Sequence, residues 1–97
     1  MVQATTIHNA TRLRRKTAVV SADVADDAIL LDIDSGYFFQ LNRTGTRIWA
    51  FVEAPQTLAA LCEHMAASYK VDGAECRREV TEFVADLIER GVLEVAE

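Results

Sequence analysis

Between Ile29 and Trp49, in the stretch ILLDIDSGYFFQLNRTGTRIW, the hydrophobic period changes from two to about 3.6 residues, and no other feature constrains the fold as tightly. Ile29, Leu31 and Ile33 alternate with Leu30, Asp32 and Asp34, which gives a strand with one apolar and one increasingly polar face. Ser35-Gly36 marks a tight reversal, because glycine tolerates the positive backbone angles that such turns need. Tyr37-Phe38-Phe39-Gln40-Leu41 follows as a second strand with three consecutive aromatics. A strand apolar on both faces at the edge of a small sheet implies that something else packs on it.

The rest of the chain fits around this unit. A Val-rich run from Thr17 to Ala22 supplies another strand, so strands at 17–22, 28–34 and 37–41 form a three-stranded antiparallel meander. Asn42 or Thr44 caps a first helix with apolar positions Ile48, Trp49, Phe51 and Val52, and Pro55 ends it because proline has no amide to continue the ladder. Thr57 caps a second helix, whose Leu58, Leu61, Cys62, Met65 and Tyr69 fall on one stripe. Asp72-Gly73-Ala74-Glu75 has the form of a capping box for a third helix, which runs to about Arg90 and stops at Gly91. Its main stripe is Cys76, Val80, Phe83 and Leu87. Val84 and Ile88, with Arg77 and Thr81 beside them, widen the apolar arc beyond what one packing partner requires, either as peripheral core or as a groove wall facing the aromatic strand. Val92 to Val95 reads as a short extended tail. The expected class is α+β, a three-stranded antiparallel sheet followed by three helices.

Size and charge exclude several functions. Ninety-seven residues make one domain, too few for a buried multi-substrate site together with its scaffold. No apolar run approaches the roughly 20 residues needed to span a bilayer, so no membrane partner is expected. The amino terminus lacks the apolar core of a secretory signal, which points to the cytoplasm and to Cys62 and Cys76 as buried reduced thiols. Residues 1–22 carry four basic side chains (Arg12, Arg14, Arg15, Lys16) and no acid, whereas 23–97 carry six basic and fifteen acidic ones, for a net charge of −5. Residues 1–16 therefore read as a basic arm, a solvated lead-in or a docking arm for an acidic partner, ahead of a domain over 17–97. The acidic body disfavours nucleic acid.

Catalytic chemistry is nearly absent. His8 and His64 have no neighbouring nucleophile in sequence. Asp32 and Asp34 share a strand face, but two carboxylates alone make a weak cation site, and solvation at the hairpin end is the expected role. No Gly-rich phosphate loop, CxxC pair or HExxH occurs. The chain reads as a binding module, not an enzyme, without cofactor or metal.

Gly36-Tyr37, Leu41-Asn42-x-Thr44-Gly45-x-x-Ile48-Trp49, Thr57-x-x-x-Leu61 and Leu87-x-x-x-Gly91-x-Leu93 together resemble the PqqD-like proteins, small peptide chaperones of pyrroloquinoline quinone and lasso-peptide biosynthesis. The resemblance spans about residues 18 to 95 and lies nearer the lasso-peptide branch. It implies a winged-helix-like recognition element that does no chemistry. Such a domain holds the leader of a ribosomally made precursor as an added strand and delivers it to a separate maturation enzyme, a protease or a radical enzyme. From strand and helix phase, the backbone of Tyr37, Phe38, Phe39, Gln40 and Leu41 would make the ladder. Phe38 and Gln40 would contribute side chains, and Arg77, Thr81, Val84 and Ile88 would form the wall. The alternative is a winged-helix nucleic-acid binder, whose third helix should be basic.

Overall fold

The computed structural model describes residues 7–69 and 72–96; residues 1–6 of the basic arm lie outside the described residues. In chain order the elements are β1 (Arg12–Arg15), β2 (Val19–Val24), β3 (Asp27–Asp32), β4 (Phe38–Leu41), α1 (Arg43–Phe51), β5 (Gln56–Thr57), α2 (Leu58–Tyr69), α3 (Gly73–Glu89) and β6 (Leu93–Ala96). The class is α+β, and the expected meander is present as an antiparallel sheet in the order β2-β3-β4. A second antiparallel sheet, β5-β1-β6, was not anticipated, so "winged-helix-like" describes the molecule only loosely.

Local chemistry explains most boundaries. Gly36 takes φ +80° in the turn between β3 and β4, as a residue without a Cβ can. Asn42, rather than Thr44, caps α1: its Oδ1 accepts from the Gly45 amide at 2.9 Å. Thr57 Oγ1 accepts from Ala60 at 3.1 Å and Asp72 Oδ2 from Glu75 at 3.1 Å, starting α2 and α3. At the end of α3 the Gly91 amide donates to Ile88 and the Val92 amide to Leu87, which is the Schellman arrangement around a positive-φ glycine. Pro55 is not what ends α1. The helix stops at Phe51, with Val52 as its cap, and Pro55 precedes the short β5.

Two expectations are corrected by packing. On β3 the buried face carries Ala28, Leu30 and Asp32, not the apolar alternates Ile29 and Leu31, which stay half-exposed, or Ile33, which is 59% exposed beyond the strand. Asp32 is thus buried at 4% exposure rather than solvated. Burial pushes its carboxyl up, but bonds from the Ser35 hydroxyl and Asp34 amide, together with the Lys16 ammonium, outweigh this and hold it below its ordinary value. Lys16 Nζ lies 3.5 Å from Asp32 and 3.6 Å from exposed Asp34, so the pair is bridged by a lysine.

The second correction concerns the arm. Residues 12–15 are not a solvated lead-in: β1 is the middle strand of its sheet, with Leu13 fully buried between β5 and β6. Two of the three basic residues of β1 find partners. Arg14 pairs with Glu94 across the sheet at 3.1 Å, and Arg15 lies 4.3 Å from the Trp49 ring centroid and donates to the Trp49 carbonyl at 2.6 Å. A single core unites both sheets and all three helices, with Leu13, Leu30, Ile48, Leu58, Leu61, Leu87 and Leu93 almost wholly sealed. Each such side chain stabilises the fold by about 1.5–3 kcal/mol relative to exposure.

Candidate functional site

β4 pairs with β3 alone, so among the described residues its other edge is unpaired. The register is Leu31↔Phe38, Leu30↔Phe39, Ile29↔Gln40 and Ala28↔Leu41, and the Asp32 amide donates to the Tyr37 carbonyl at 3.0 Å. Hydrogen-bonded and non-bonded pairs alternate in an antiparallel ladder. Tyr37, Phe39 and Leu41 therefore turn their backbone groups toward β3, and Phe38 and Gln40 turn theirs outward. The free edge offers two N–H donors and two carbonyls. At its end the Thr46 hydroxyl accepts from the Ala28 amide and donates to the Leu41 carbonyl, closing the ladder where α1 begins.

Beside this edge runs a cleft of about 370 Å³ between β4 and α3. Phe38 to Asn42 form one side, and Phe83, Asp86, Leu87 and Arg90 the other. Phe39 and Leu41 sit on the helix-facing side of the sheet with Leu30 and Ala28, whereas Phe38 and Gln40 share the outer face with Leu31 and Ile29. At the Phe38 end, Arg90 pairs with Asp86 at 2.9 Å and lies 5.8 Å from the Phe39 ring centroid. At the Leu41 end stands Phe83. A Cβ at Gly45 would collide with the Phe83 ring, so a glycine in the first turn of α1 lets α3 bring this aromatic close. Gln40 Nε2 donates to Asp27 across the outer face at 3.1 Å.

Of the residues expected at the site, Phe38, Phe39, Gln40 and Leu41 line the cleft; Tyr37 lies just before the strand and is 69% exposed. Arg77, Thr81, Val84 and Ile88 do not line it. Val84 is fully buried, Ile88 packs against the core, and Arg77 lies near enough to Cys62 on α2 to oppose the upward push of burial on that thiol. Both flanks of the α3 stripe are partly apolar. The flank bearing Phe83, Asp86 and Arg90 faces the strand, and the flank chosen from the wider apolar arc does not. The usable signal was Phe83, a large aromatic at i, i+3 and i+7 from two charged residues, a spacing that puts ring and charges on one surface.

The site offers no poised nucleophile. Cys62 and Cys76 are free and buried, and burial raises both thiols, which leaves them protonated at neutral pH. His64 is exposed and stacks on Phe51 with ring centroids 4.3 Å apart. Among the described residues no group of three His, Cys, Asp or Glu could hold a metal, and no helix is long and apolar enough to cross a membrane. The outer face of the β2-β3-β4 sheet leaves Val20, Val24 and Phe38 exposed, and Ile33 and Tyr37 are exposed in the connection between β3 and β4.

Known proteins share this fold. The family model described as Coenzyme PQQ synthesis protein D (PqqD) matches residues 27–93. No curated protein matches. Among solved structures, TbiB1 in complex with the TbiA(beta) leader peptide aligns with a TM-score of 0.78 and 31% identity, over 84% of this chain and 94% of that one. Lasso peptide synthetase B1 complexed with the leader peptide aligns with a TM-score of 0.75 and 24% identity, over 84% and 96%. The PqqD truncation of Methylobacterium extorquens PqqCD, a stand-alone recognition element of ribosomally synthesised, post-translationally modified peptides, aligns at 0.78 with 18% identity, over 96% and 99%. The last two are likenesses of fold.

Proposed function

The chain belongs to the PqqD family, and from that membership we propose that it is a peptide chaperone that binds the leader of a ribosomally made precursor by strand addition. The observation that carries the reading is the unpaired β4 edge, with its outward Phe38 and Gln40 amides beside a cleft walled by α3. An added strand takes affinity from backbone bonds, and its alternate side chains enter the cleft between Phe39 on one side and Phe83, Leu87 and Arg90 on the other. The 31%-identical relative is described in complex with a leader peptide, which supports the same use here.

The protein itself does no chemistry on the peptide in this reading and acts in the cytoplasm. It hands the loaded leader to a separate maturation enzyme, a protease or a radical enzyme. The exposed outer sheet face stays available while the cleft is filled, which supports a second, docking role. Nucleic-acid binding is disfavoured because the basic residues of α3 are already engaged: Arg78 lies 4.0 Å from Glu82, Arg90 pairs with Asp86, and Arg77 lies by Cys62.

Titrating a labelled leader, taken from a short precursor encoded in the neighbouring genes, tests the proposal. Saturable binding should shift the amide resonances of Phe38, Gln40 and the α3 wall, persist at moderate salt, and leave the peptide mass unchanged. Shifts confined to other surfaces, a steep salt dependence, or a cleaved or modified product would each sink it.

A further inference from the structure

The cleft along β4 has a neighbour. Asn42 and Phe83 line both it and a second cavity of about 370 Å³ between α1, α2 and α3, so the two spaces are neighbours. The floor is apolar and deep: Ile48 and Met65 are almost wholly buried, and Val80 and Cys76 nearly so. The rim differs in kind. Glu75 and Glu79, one helical turn apart on α3, stand over it with the half-exposed Tyr69 ring. Neither glutamate has an ion-pair partner among the described residues, whereas Asp86 and Glu82 farther along α3 are each paired with an arginine. The nearest arginine to the ring, Arg47, lies 5.6 Å from the Tyr69 centroid and does not line the cavity. The α3 wall thus runs from two unpaired carboxylates at the Leu41 end to Arg90 at the Phe38 end.

We infer that this second cavity is a selectivity subsite for one lysine or arginine side chain of the bound peptide, in the segment that leaves the β4 ladder at Leu41. A long basic side chain suits such a mixed space: its alkyl stem covers the apolar floor while Glu75 and Glu79 take the charge at the rim. An acidic side chain entering there would meet two like charges, so the subsite also rejects as well as selects. The inference rests on the strand-addition reading and adds to it the chemistry of a residue outside the strand.

The test is selection of a random peptide library, displayed on mRNA, against the full chain, the Glu75→Gln/Glu79→Gln variant and the Gln40→Pro variant. Both glutamates are exposed, so the double variant should keep its fold, and circular dichroism checks this. Peptides retained by the parent and lost on Gln40→Pro should carry Lys or Arg at one fixed offset beyond the strand segment, and that preference should vanish on the double variant. Synthesised with an acetylated terminus, a winning peptide should lose roughly fivefold to tenfold in affinity for the parent when its basic residue becomes alanine, and nothing for the double variant. Gln40-dependent winners with no basic residue at a fixed offset, or with the same preference on the double variant, would overturn the subsite while leaving strand addition standing. A selection yielding no Gln40-dependent peptide would overturn both.

Discussion

Replacing Gln40 by proline puts the polarity of the β4 edge to the test. Its amide faces away from β3, so the substitution removes an outward donor and leaves the β3–β4 ladder whole. A bound strand can use four backbone groups of this edge, each contributing about 0.5–1.5 kcal/mol net. Proline removes one donor and leaves the facing peptide carbonyl unpaired, a combined cost of roughly 2 kcal/mol, or about thirtyfold in Kd. The Gln40 side chain adds little to stability, since its bond to Asp27 is exposed. Phe39→Pro is the matched control. One residue away, it deletes a donor from the bonded pair with Leu30 and crowds the helix-facing side, so it should unfold the sheet. Thermal melts by circular dichroism and fluorescence anisotropy with a labelled leader read both effects. The reasoning fails if Gln40→Pro unfolds as Phe39→Pro does, or if it folds and binds within about a factor of two of the parent.

Leu13→Ala should cost about 3–5 kcal/mol and lower Tm by more than about 10 °C, because it empties a sealed site in the middle strand of the second sheet, while the exposed neighbour Arg12→Ala stays within about 0.5 kcal/mol. A Leu13→Ala variant that melts with the parent would return β1 to the status of a loose arm. The Asp32 carboxyl titrates below its ordinary value in the fold, so its stabilising contribution is complete above about pH 4 and is lost as pH falls through the lower folded pKa. Urea titrations across that acid range should show a shallower loss of stability for Asp32→Ala than for the parent; parallel curves would contradict the assignment. Ala25 adopts φ +58° in the hairpin between β2 and β3, so Ala25→Gly should raise the urea midpoint by an amount worth up to about 1 kcal/mol, and a lowered midpoint would count against strain there.

Features set by near neighbours were legible in the chain. The turn at Gly36, the caps at Thr57 and Asp72, the stop at Gly91, the three-helix order and the aromatic edge strand all depend on contacts a few residues apart, and periodicity or a single side-chain oxygen reveals them. Choices about distant neighbours were not. Periodicity says which residues of α3 share a face, but not how the helix is rotated against β4. Phe83, Asp86 and Arg90 face the strand, while Val84 turns into the core. Nor could four residues reading Arg-Leu-Arg-Arg announce a central strand, because β1 exists through pairing with β6 near the opposite end of the chain and through the sealing of one leucine. Asp32 looked like a solvated hairpin end, but in the fold it is buried and Lys16 meets it. Local hydrogen bonding and side-chain spacing are written along the chain, but the orientation of one element against another is settled only when all of them compete to bury the same core.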